Sequence, residues 1–509
     1  MPVLEPRQTW QIIPARQLSG LLEQRVLIVG QMLASGTATA GDLVRDIGNS
    51  REEDTLFGRR SHIAGMVREF KDLNPLTALD CIPLADNGAA VKGEASIAFS
   101  GTATADADIV VTVGSDKRHR KTINVLSGDA AADVAAAVEA AFDADLDAPY
   151  IASSATGTAT FTAENGGTLS NDWCIKIEGS VPGITYVLTG WASGATDPVL
   201  TGVLDVIGDI RYKTVIWPSA YALTEVQDLL DSRFNSQYLI MDGVAIQTIQ
   251  GTLATVKAYT VQNSQNVVVL ANKAVSESDR IGAAIMEMPD IMSSEFGALR
   301  ALRYQDDAPI ARFLSTVSPL DQFGGRAIAS LPYFNSLMPN LPVPDPRDEF
   351  SLVDQAEFTS NGVSVIGANR AFNGTILGQI VTTYLNTPAG NPDDSYKFLE
   401  TVDTASVIRE FIYENCRTRY AQTRLTEGDL IQGRDMANAA SIRAFLNTLY
   451  DVLAEDALVQ SGTAAKKDFN LNLVIAVNVR TGTVTINMKP LLVTQLRAIL
   501  GTIQINFGA

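Results

Sequence analysis

The chain has 509 residues, of which 46% are hydrophobic and 19% charged, and its formal net charge is −18. This hydrophobic fraction is typical of a folded chain rather than a disordered one, and the length predicts about three or four domains. The acidic balance argues against nucleic acid and against anionic membrane surfaces as partners, because both demand basic protein faces.

Histidine and cysteine are scarce, which limits the available chemistry. His62 and His119 are the two histidines, and Cys81, Cys174 and Cys416 form no CxxC pair. This pattern disfavours zinc sites and suggests that the cysteines are packing residues in a reducing compartment. The first residues contain no apolar signal-peptide core, and no apolar run has the length of a membrane span. We therefore expect a protein that is made in the cytosol.

The opening of the chain predicts a βαβ unit that follows a short extended arm. The arm contains a strand-like run, WQII, which begins at Trp10. Arg25–Gly30 and Leu76–Leu84 are short apolar runs typical of buried strands, and His62–Phe70 has apolar residues at helical spacing. The predicted segments are an N-terminal arm over residues 1–25 and the first part of a middle α/β domain over residues 26–92.

The composition shifts to Gly, Ala, Ser and Thr over residues 93–200. This stretch has 5 Lys and Arg against 14 Asp and Glu, a net charge of −9, which is half of the total. The strand-like runs Asp108–Val113 and Cys174–Gly179 lie on either side of one predicted helix, Asp129–Phe142. Because a charge excess is most stable on a solvated surface, we predict an inserted β-rich outer domain that folds separately.

The α/β pattern resumes over residues 201–377, the second part of the middle domain. Three apolar runs separated by a helical segment predict parallel strands joined by helices. The predicted strands are Tyr212–Pro218, Gln237–Gly243 and Asn266–Asn272, and the predicted helix is Leu223–Phe234. A proline-rich segment, Leu337–Phe350, marks a boundary near the end of this part.

The final section predicts an α+β domain over residues 378–490 and a strand arm over residues 491–509. Val407–Cys416 and Ile442–Leu453 have the spacing of amphipathic helices, and a hairpin follows over Leu471–Met488, with its turn at Thr481-Gly482. Gly501–Ala509 alternates apolar and polar side chains, as a strand with two different faces does. The residues alone leave two alternatives equally open: this strand pairs with its own hairpin, or it is donated to another molecule.

No candidate motif in the sequence predicts an active site. The loop after Arg25–Gly30 matches neither GxGxxG nor GK[ST], and the basic run Lys117–Lys121 is interpreted as a solvated turn. The carboxylates in Asp345–Phe350 and Pro392–Asp394 are interpreted as turn residues, because neither histidines nor a metal-loop glycine accompany them. We therefore expect no cofactor, no metal and no enzymatic activity.

The final third resembles a known family. Phe358–Asn369 and Gly378–Leu425 resemble the tail sheath proteins of contractile phages, particularly the Mu-like branch, and Leu491–Phe507 is similar to that family's C-terminal arm. The resemblance is dense from about residue 350 onward, looser over residues 1–90 and 205–350, and weakest over the insertion. It implies a structural protein that polymerises as stacked six-membered rings into a contractile sheath. The sheath surrounds a tail tube and drives that tube through the host envelope.

The resemblance also implies partners and interface residues. In this family the terminal arms add strands to a neighbour's hairpin, while the insertion lies outermost and the C-terminal domain innermost. The implied strand-exchange residues are Trp10, Ile12, Leu473, Ile475, Val477, Val484, Ile486, Ile503, Ile505 and Phe507. The implied partners are copies of the chain, the tail tube protein, and baseplate and tail terminator proteins, in a virion tail assembled in the host cytoplasm.

Four arginines are candidates for contact with an acidic tube: Arg409, Arg417, Arg419 and Arg424. The alternative is a solvated helix face with local pairs to Glu410 and Glu414. Two other functions remain as alternatives for the whole chain. One is a capsid decoration or adhesion protein, suggested by the Gly/Thr-rich insertion, and the other is an α/β enzyme built on the Arg25–Gly30 strand.

Overall fold

The computed structural model describes residues 24–219, 221–234, 240–259, 262–304, 331–369 and 373–495. The predicted strands at Trp10 and over Gly501–Ala509 lie outside these residues. The β-strands, numbered in chain order, are β1 Arg25–Gln31, β2 Ala78–Leu84, β3 Lys92–Gly101, β4 Ala107–Val113, β5 Arg120–Val125, β6 Tyr150–Ala155, β7 Thr158–Gly166, β8 Ile175–Glu178, β9 Ile184–Ala192, β10 Thr214–Ile216, β11 Val244–Gly251, β12 Val267–Ser276, β13 Arg280–Ala283, β14 Leu337–Met338, β15 Val363–Asn369, β16 Gly374–Leu377, β17 Arg424–Leu425, β18 Met436–Ala437, β19 Val474–Asn478 and β20 Thr483–Asn487. The α-helices are α1 His62–Leu73, α2 Ala131–Asp143, α3 Thr224–Phe234, α4 Leu253–Ala258, α5 Pro289–Leu302, α6 Leu352–Ser360, α7 Leu399–Tyr420, α8 Ala439–Glu455 and α9 Thr463–Asn472.

The largest sheet is parallel through its centre, which confirms the predicted mixed α/β class. Its strands run in the order β2-β1-β10-β11-β12, with β15 also parallel to β12. Ile28 of β1 belongs to the same apolar cluster as Ile63 of α1 on one face of the sheet, and Leu27 belongs to a second cluster, with Leu230 of α3, on the other. Because both faces are covered, β1 is buried along its whole length, as the apolar run predicts.

One strand prediction is wrong. Residues 240–243 of the predicted strand Gln237–Gly243 are not extended, and the strand is Val244–Gly251 instead. Asp242 takes part in ion pairs before the strand begins, and a Cβ at Gly243 would lie 2.0 Å from the carbonyl oxygen of Tyr212. The true strand was hidden because it contains Gln247 and Thr248, two polar residues that are buried with hydrogen-bond partners of their own.

The insertion is rich in strands, as predicted, but its core is continuous with that of the rest of the chain. Strands β6, β7, β3 and β9 form an antiparallel sheet against which α2 packs, while β8, β4 and β5 extend the main sheet beyond β13. Ile63 and Met66 of α1 belong to the same apolar cluster as Val111, Val138 and Trp173 of the insertion. Separate folding, expected from composition, is therefore not supported, and the domain boundaries stay a prediction.

The C-terminal section contains the two predicted amphipathic helices and the predicted hairpin, together with one helix that the sequence analysis missed. An apolar cluster joins α7, α8 and α9 with the hairpin β19–β20. The predicted strand started at Leu471, because alternate leucines continue the strand pattern. Instead, Leu471 is the exposed penultimate residue of α9, and Leu473 is buried at the end of that helix rather than in the hairpin ladder. None of the described helices has the length and apolarity needed to cross a bilayer.

Candidate assembly surfaces

The hairpin β19–β20 is a small sheet of its own. Ile475 pairs with Ile486 and Val477 with Val484, and Gly482 makes the turn with a φ of 67°. These four apolar side chains are half-buried on the face toward α8, whereas every alternate residue along both strands is exposed. Within the described part of the chain no third strand pairs with either edge. Unpaired edges of this kind are templates for strand addition.

The chain that leaves the hairpin is held at one further point. Leu492 forms an antiparallel bridge with Val459, the Gln460 amide donates to the Leu491 carbonyl at 2.8 Å, and the Val493 amide donates to Leu458 at 3.2 Å. We call these contacts between residues 458–460 and 491–493 the clip. The clip fixes the chain at residues 491–493, beside the segment that connects α8 and α9.

The N-terminal arm joins the molecule next to the same unit. Arg25, the first residue of β1, forms ion pairs with Asp80 at 2.8 Å and with Asp46 at 2.7 Å. The preceding residue, Gln24, donates from Nε2 to the Glu410 carboxylate of α7 at 3.4 Å. The roots of both arms therefore lie against the C-terminal helices, close to the unit that carries the open hairpin.

A buried stripe of polar residues fastens α7 to the amino-terminal ends of the central strands. Glu410 accepts from Lys213 at 2.9 Å and is also paired with Arg211, and Asp242 lies between the same two cations. Burial alone would raise the pKa of Asp242, but Lys213 and Arg211 outweigh it and hold that pKa well below its usual range. Local sequence patterns do not indicate this network, because its members lie up to 199 residues apart.

A second buried pair joins α7 to α5 about two turns earlier along the helix. Arg300 of α5 pairs with Asp403 at 2.6 Å, and both side chains are almost fully buried. The Tyr333 hydroxyl donates to the other oxygen of Asp403 at 2.6 Å. A buried pair of this kind is strongly destabilising to break, because the remaining charge has no partner. Helix α7 is thus firmly fixed relative to the sheet.

The four candidate arginines occupy different surroundings. Arg409 pairs with Asp242 at 2.9 Å and donates to the Phe234 carbonyl, so its guanidinium is engaged within the subunit. Arg417 has 64% of its side chain exposed and pairs with Glu414 on the next turn. Arg419 and Arg424 are also exposed, Arg419 beside the ring of Phe445. Only the last three lie at an outer surface, which is where a partner contact requires them.

The basic run Lys117–Lys121, which we call the basic turn, is not the solvated turn that the sequence predicted. Lys117 donates to the Pro339 carbonyl at 2.5 Å, and Arg118 pairs with Glu69 of α1. His119 lies 3.1 Å from Asp145, and Lys121 lies 2.9 Å from the same carboxylate. Arg120 pairs with Glu178 at 2.5 Å. Lys117 and Arg118 thus join the insertion to the body, whereas the other three residues pair with carboxylates of the insertion itself. The distance in sequence between the turn and its partners Glu69 and Pro339 hid this role.

Three arginines of the body complete the contact with the insertion. Arg51 and Arg59 each lie 2.7 Å from Asp147, and Arg68 lies 3.7 Å from it. Burial raises the pKa of Asp147, but the hydrogen bonds from Arg51 and Arg59 outweigh it and lower the pKa to about 2. A cavity of about 350 Å³ lies between these groups, lined by His62 and His119 among others. We call this boundary between insertion and body the seam.

The insertion reaches the crevice in which α/β enzymes commonly bind ligands. In such folds ligands bind beyond the carboxyl ends of the strands where the strand order reverses, here between β1 and β10. At this position Gln31 donates to Asp86 at 2.7 Å and to the Gly166 carbonyl at 2.6 Å. Asn165 donates to the Met32 carbonyl at 3.0 Å. Within the described residues no three His, Cys, Asp or Glu side chains are grouped to hold a metal ion.

These features define a mixed α/β protein of several parts, with an open hairpin near the roots of both terminal arms. The chain is 26% identical to the Mu-like prophage FluMu tail sheath protein of Haemophilus influenzae over 447 residues, which cover 86% of this chain and 84% of that protein. The predicted resemblance to Mu-like tail sheath proteins is thereby confirmed, since the chain is similar to one such protein over most of both lengths. No family model matches the chain.

Three solved structures of sheath proteins are also similar to this chain, each with a TM-score below 0.5. The sheath tail protein of Desulfitobacterium hafniense has a TM-score of 0.48 at 11% identity and covers 96% of this chain and 97% of its own. The sheath tail protein of Listeria innocua has a TM-score of 0.47 at 10% identity, with 92% of each chain covered. The helical sheath of the anti-feeding prophage in its contracted state has a TM-score of 0.45 at 10% identity, with 99% of each chain covered. Similarity at this level gives no information about the arrangement of domains.

Proposed function

We propose that the chain is the subunit of a contractile tail sheath, which polymerises as stacked six-membered rings around a tail tube. Contraction of this sheath drives the tube through the host envelope. The chain acts mechanically and without catalysis, and the energy for contraction is stored at assembly. Its 26% identity to a tail sheath protein over most of both chains supports this function.

The observation that carries the assembly mechanism is the open hairpin β19–β20 combined with the clip. The clip ends at Val493, so 16 residues of the sequence follow it. An extended chain of this length reaches about 50 Å, which is enough to cross to a neighbouring subunit. Ile503, Ile505 and Phe507 would then cover the apolar side of a neighbour's ladder, while main-chain groups pair with its edge.

The N-terminal arm supplies the second donated strand, through Trp10 and Ile12. The receiving side chains are Ile475, Val477, Val484 and Ile486, with Leu473 at the foot of the hairpin. In the assembled sheath the C-terminal domain lies innermost, and exposed arginines of α7 contact the tail tube protein. Baseplate and terminator proteins contact the ends of the sheath, which assembles in the host cytoplasm.

Truncation after Leu500 tests the strand exchange. A donated strand contributes nothing to its own subunit's core, so the truncated chain is expected to stay folded, with an unchanged melting temperature, and to form no tubes. Negative-stain microscopy and circular dichroism measure the two outcomes. The control is Asn506→Ala, which changes a polar position of the same strand and is expected to form tubes.

Two results contradict this mechanism in different ways. Normal tubes from the chain that ends at Leu500 would exclude exchange of the C-terminal strand while leaving the sheath function intact. A truncated chain that unfolds would indicate that the strand completes its own sheet. If the full-length chain forms no tubes with or without its tail tube protein, the sheath function itself is wrong.

A further inference from the structure

Four segments of the chain meet at one buried group of carboxylates inside the seam. Glu69 of α1 and Glu295 of α5 are both fully buried, and Asn340 connects them. The Asn340 side chain donates to Glu69 at 3.0 Å, and its backbone amide donates to Glu295 at 2.8 Å. The fourth segment is the basic turn, from which Arg118 pairs with Glu69. We call this arrangement the carboxylate node.

The insertion supplies the positive charge of the node and the body supplies the negative charge. Glu287, which precedes α5, is also buried and accepts from the Ser115 hydroxyl of the insertion at 2.6 Å. The cationic and titratable groups on the insertion side are Lys117, Arg118 and His119. Three buried carboxylates therefore face one guanidinium that is mostly buried and one lysine that reaches solvent, so the node lacks positive charge when all three carboxylates are ionised.

We propose that the carboxylate node makes the attachment of the insertion to the body sensitive to pH, so that the seam loosens as Glu295 loses its proton. With Glu295 neutral, at most two carboxylates share the cations of the basic turn, because burial raises the pKa of Glu287 as well. With Glu295 ionised, a third buried negative charge stands among them and is only partly compensated, because one oxygen of Glu295 has no hydrogen-bond partner. Separation of the basic turn from the body then lets water reach the extra charge.

The direction of the effect follows from linkage. Burial, with a smaller contribution from Glu287, raises the pKa of Glu295 to about 7. In the open seam this carboxyl is solvated and titrates near its ordinary value of about 4.3. The closed seam therefore binds the proton more tightly, and it becomes less stable as the pH rises from about 4 through 7 and levels off once Glu295 is ionised in both states. The change falls within the pH range in which proteins are ordinarily handled.

Hydrogen exchange of the intact chain tests this proposal without reference to sheath assembly. The Asp116 amide donates across the seam to the Met286 carbonyl at 2.9 Å, so its exchange reports opening of the seam. After correction for the intrinsic rate, protection of the peptide around residues 114–120 is expected to fall about tenfold between pH 6 and pH 8.5. In the isosteric variant Glu295→Gln, which cannot ionise, the fall is expected to be much smaller.

Glu94→Gln is the matched control, because Glu94 is an exposed carboxylate of the insertion whose hydrogen-bond partner is Thr162 rather than a residue of the node. This variant is expected to follow the wild-type profile. Constant protection in the wild type across the pH range overturns the proposal, and so does an equal fall in Glu295→Gln and in the wild type. Should Glu295→Gln not fold, the wild-type profile decides alone, because a pH-independent seam is incompatible with a titrating node.

Discussion

The seam and the hairpin β19–β20 are opposite kinds of surface. At the seam each residue of the basic turn has a partner in the same chain, including carboxylates as buried as Glu69. At the hairpin every alternate side chain is exposed and neither edge has a further strand among the described residues. Contacts completed within the chain hold one subunit together, whereas the open ladder is available to a second copy.

The contrast also changes how the charge of the insertion is understood. The net charge of −9 over residues 93–200 suggested a surface turned wholly to solvent. Part of that charge instead lies at the seam, where Asp145 and Asp147 meet basic residues from both sides. Net charge describes a segment as a whole and does not say which carboxylates find partners when it folds.

The largest expected effect comes from removing the guanidinium at the centre of the seam. Arg118→Met leaves Glu69 buried without its cation, and we expect the free energy of unfolding to fall by about 3 kcal/mol. Urea denaturation followed by tryptophan fluorescence measures the change, since Trp173 and Trp191 lie within the apolar cluster shared across the seam.

The neighbouring arginine of the same turn provides the control. Arg120 is 45% exposed and pairs with a partly exposed Glu178, so Arg120→Met is expected to cost less than about 1 kcal/mol. Equal losses of unfolding free energy in the two variants would mean that burial of the partner carboxylate adds nothing to the strength of an ion pair at the seam. The contrast between the seam and the hairpin would then be wrong.

An intermediate effect is expected at Asp172, beside the seam. Burial, and then the negative charge of Asp290, raises the pKa of Asp172 to about 6. The unfolded chain has the lower pKa, so the folded protein loses stability as the pH rises from about 4 to 6. It does not regain that stability above pH 6. Asp172→Asn is therefore expected to raise the free energy of unfolding by about 1–3 kcal/mol at pH 8 and to leave it unchanged at pH 3.5. A variant that is equally stabilised at both pH values would contradict this origin.

The smallest effect on stability, and a large one on assembly, is expected at the outer end of α7. Arg417→Glu with Arg419→Glu changes two exposed side chains, so the melting temperature is expected to stay the same. If these arginines face an acidic tube, assembly on tubes falls, and the defect varies with salt concentration. Arg347→Glu, at an exposed position elsewhere, is the control. Assembly that is unchanged at every salt concentration would exclude this face.

Most strands of the central sheet could be predicted from the sequence, because buried parallel strands are short apolar runs. Val244–Gly251 was missed because Gln247 is buried with its own hydrogen-bond partners, which no local pattern indicates. The seam and the stripe on α7 could not be predicted at all. The contact of Lys213 with Glu410 spans 197 residues, and such pairs become visible only when the topology brings the elements together.

The clip has one more consequence, which concerns direction. It lies apart from the hairpin ladder, so under the proposed strand exchange donor and acceptor would be different surfaces of the same chain. Association through unlike surfaces does not close on itself between two copies and produces an object with two unlike ends. A sheath joined in this way has empty hairpins at one end and unused arms at the other. Its polarity is already present in the single chain before any two copies meet.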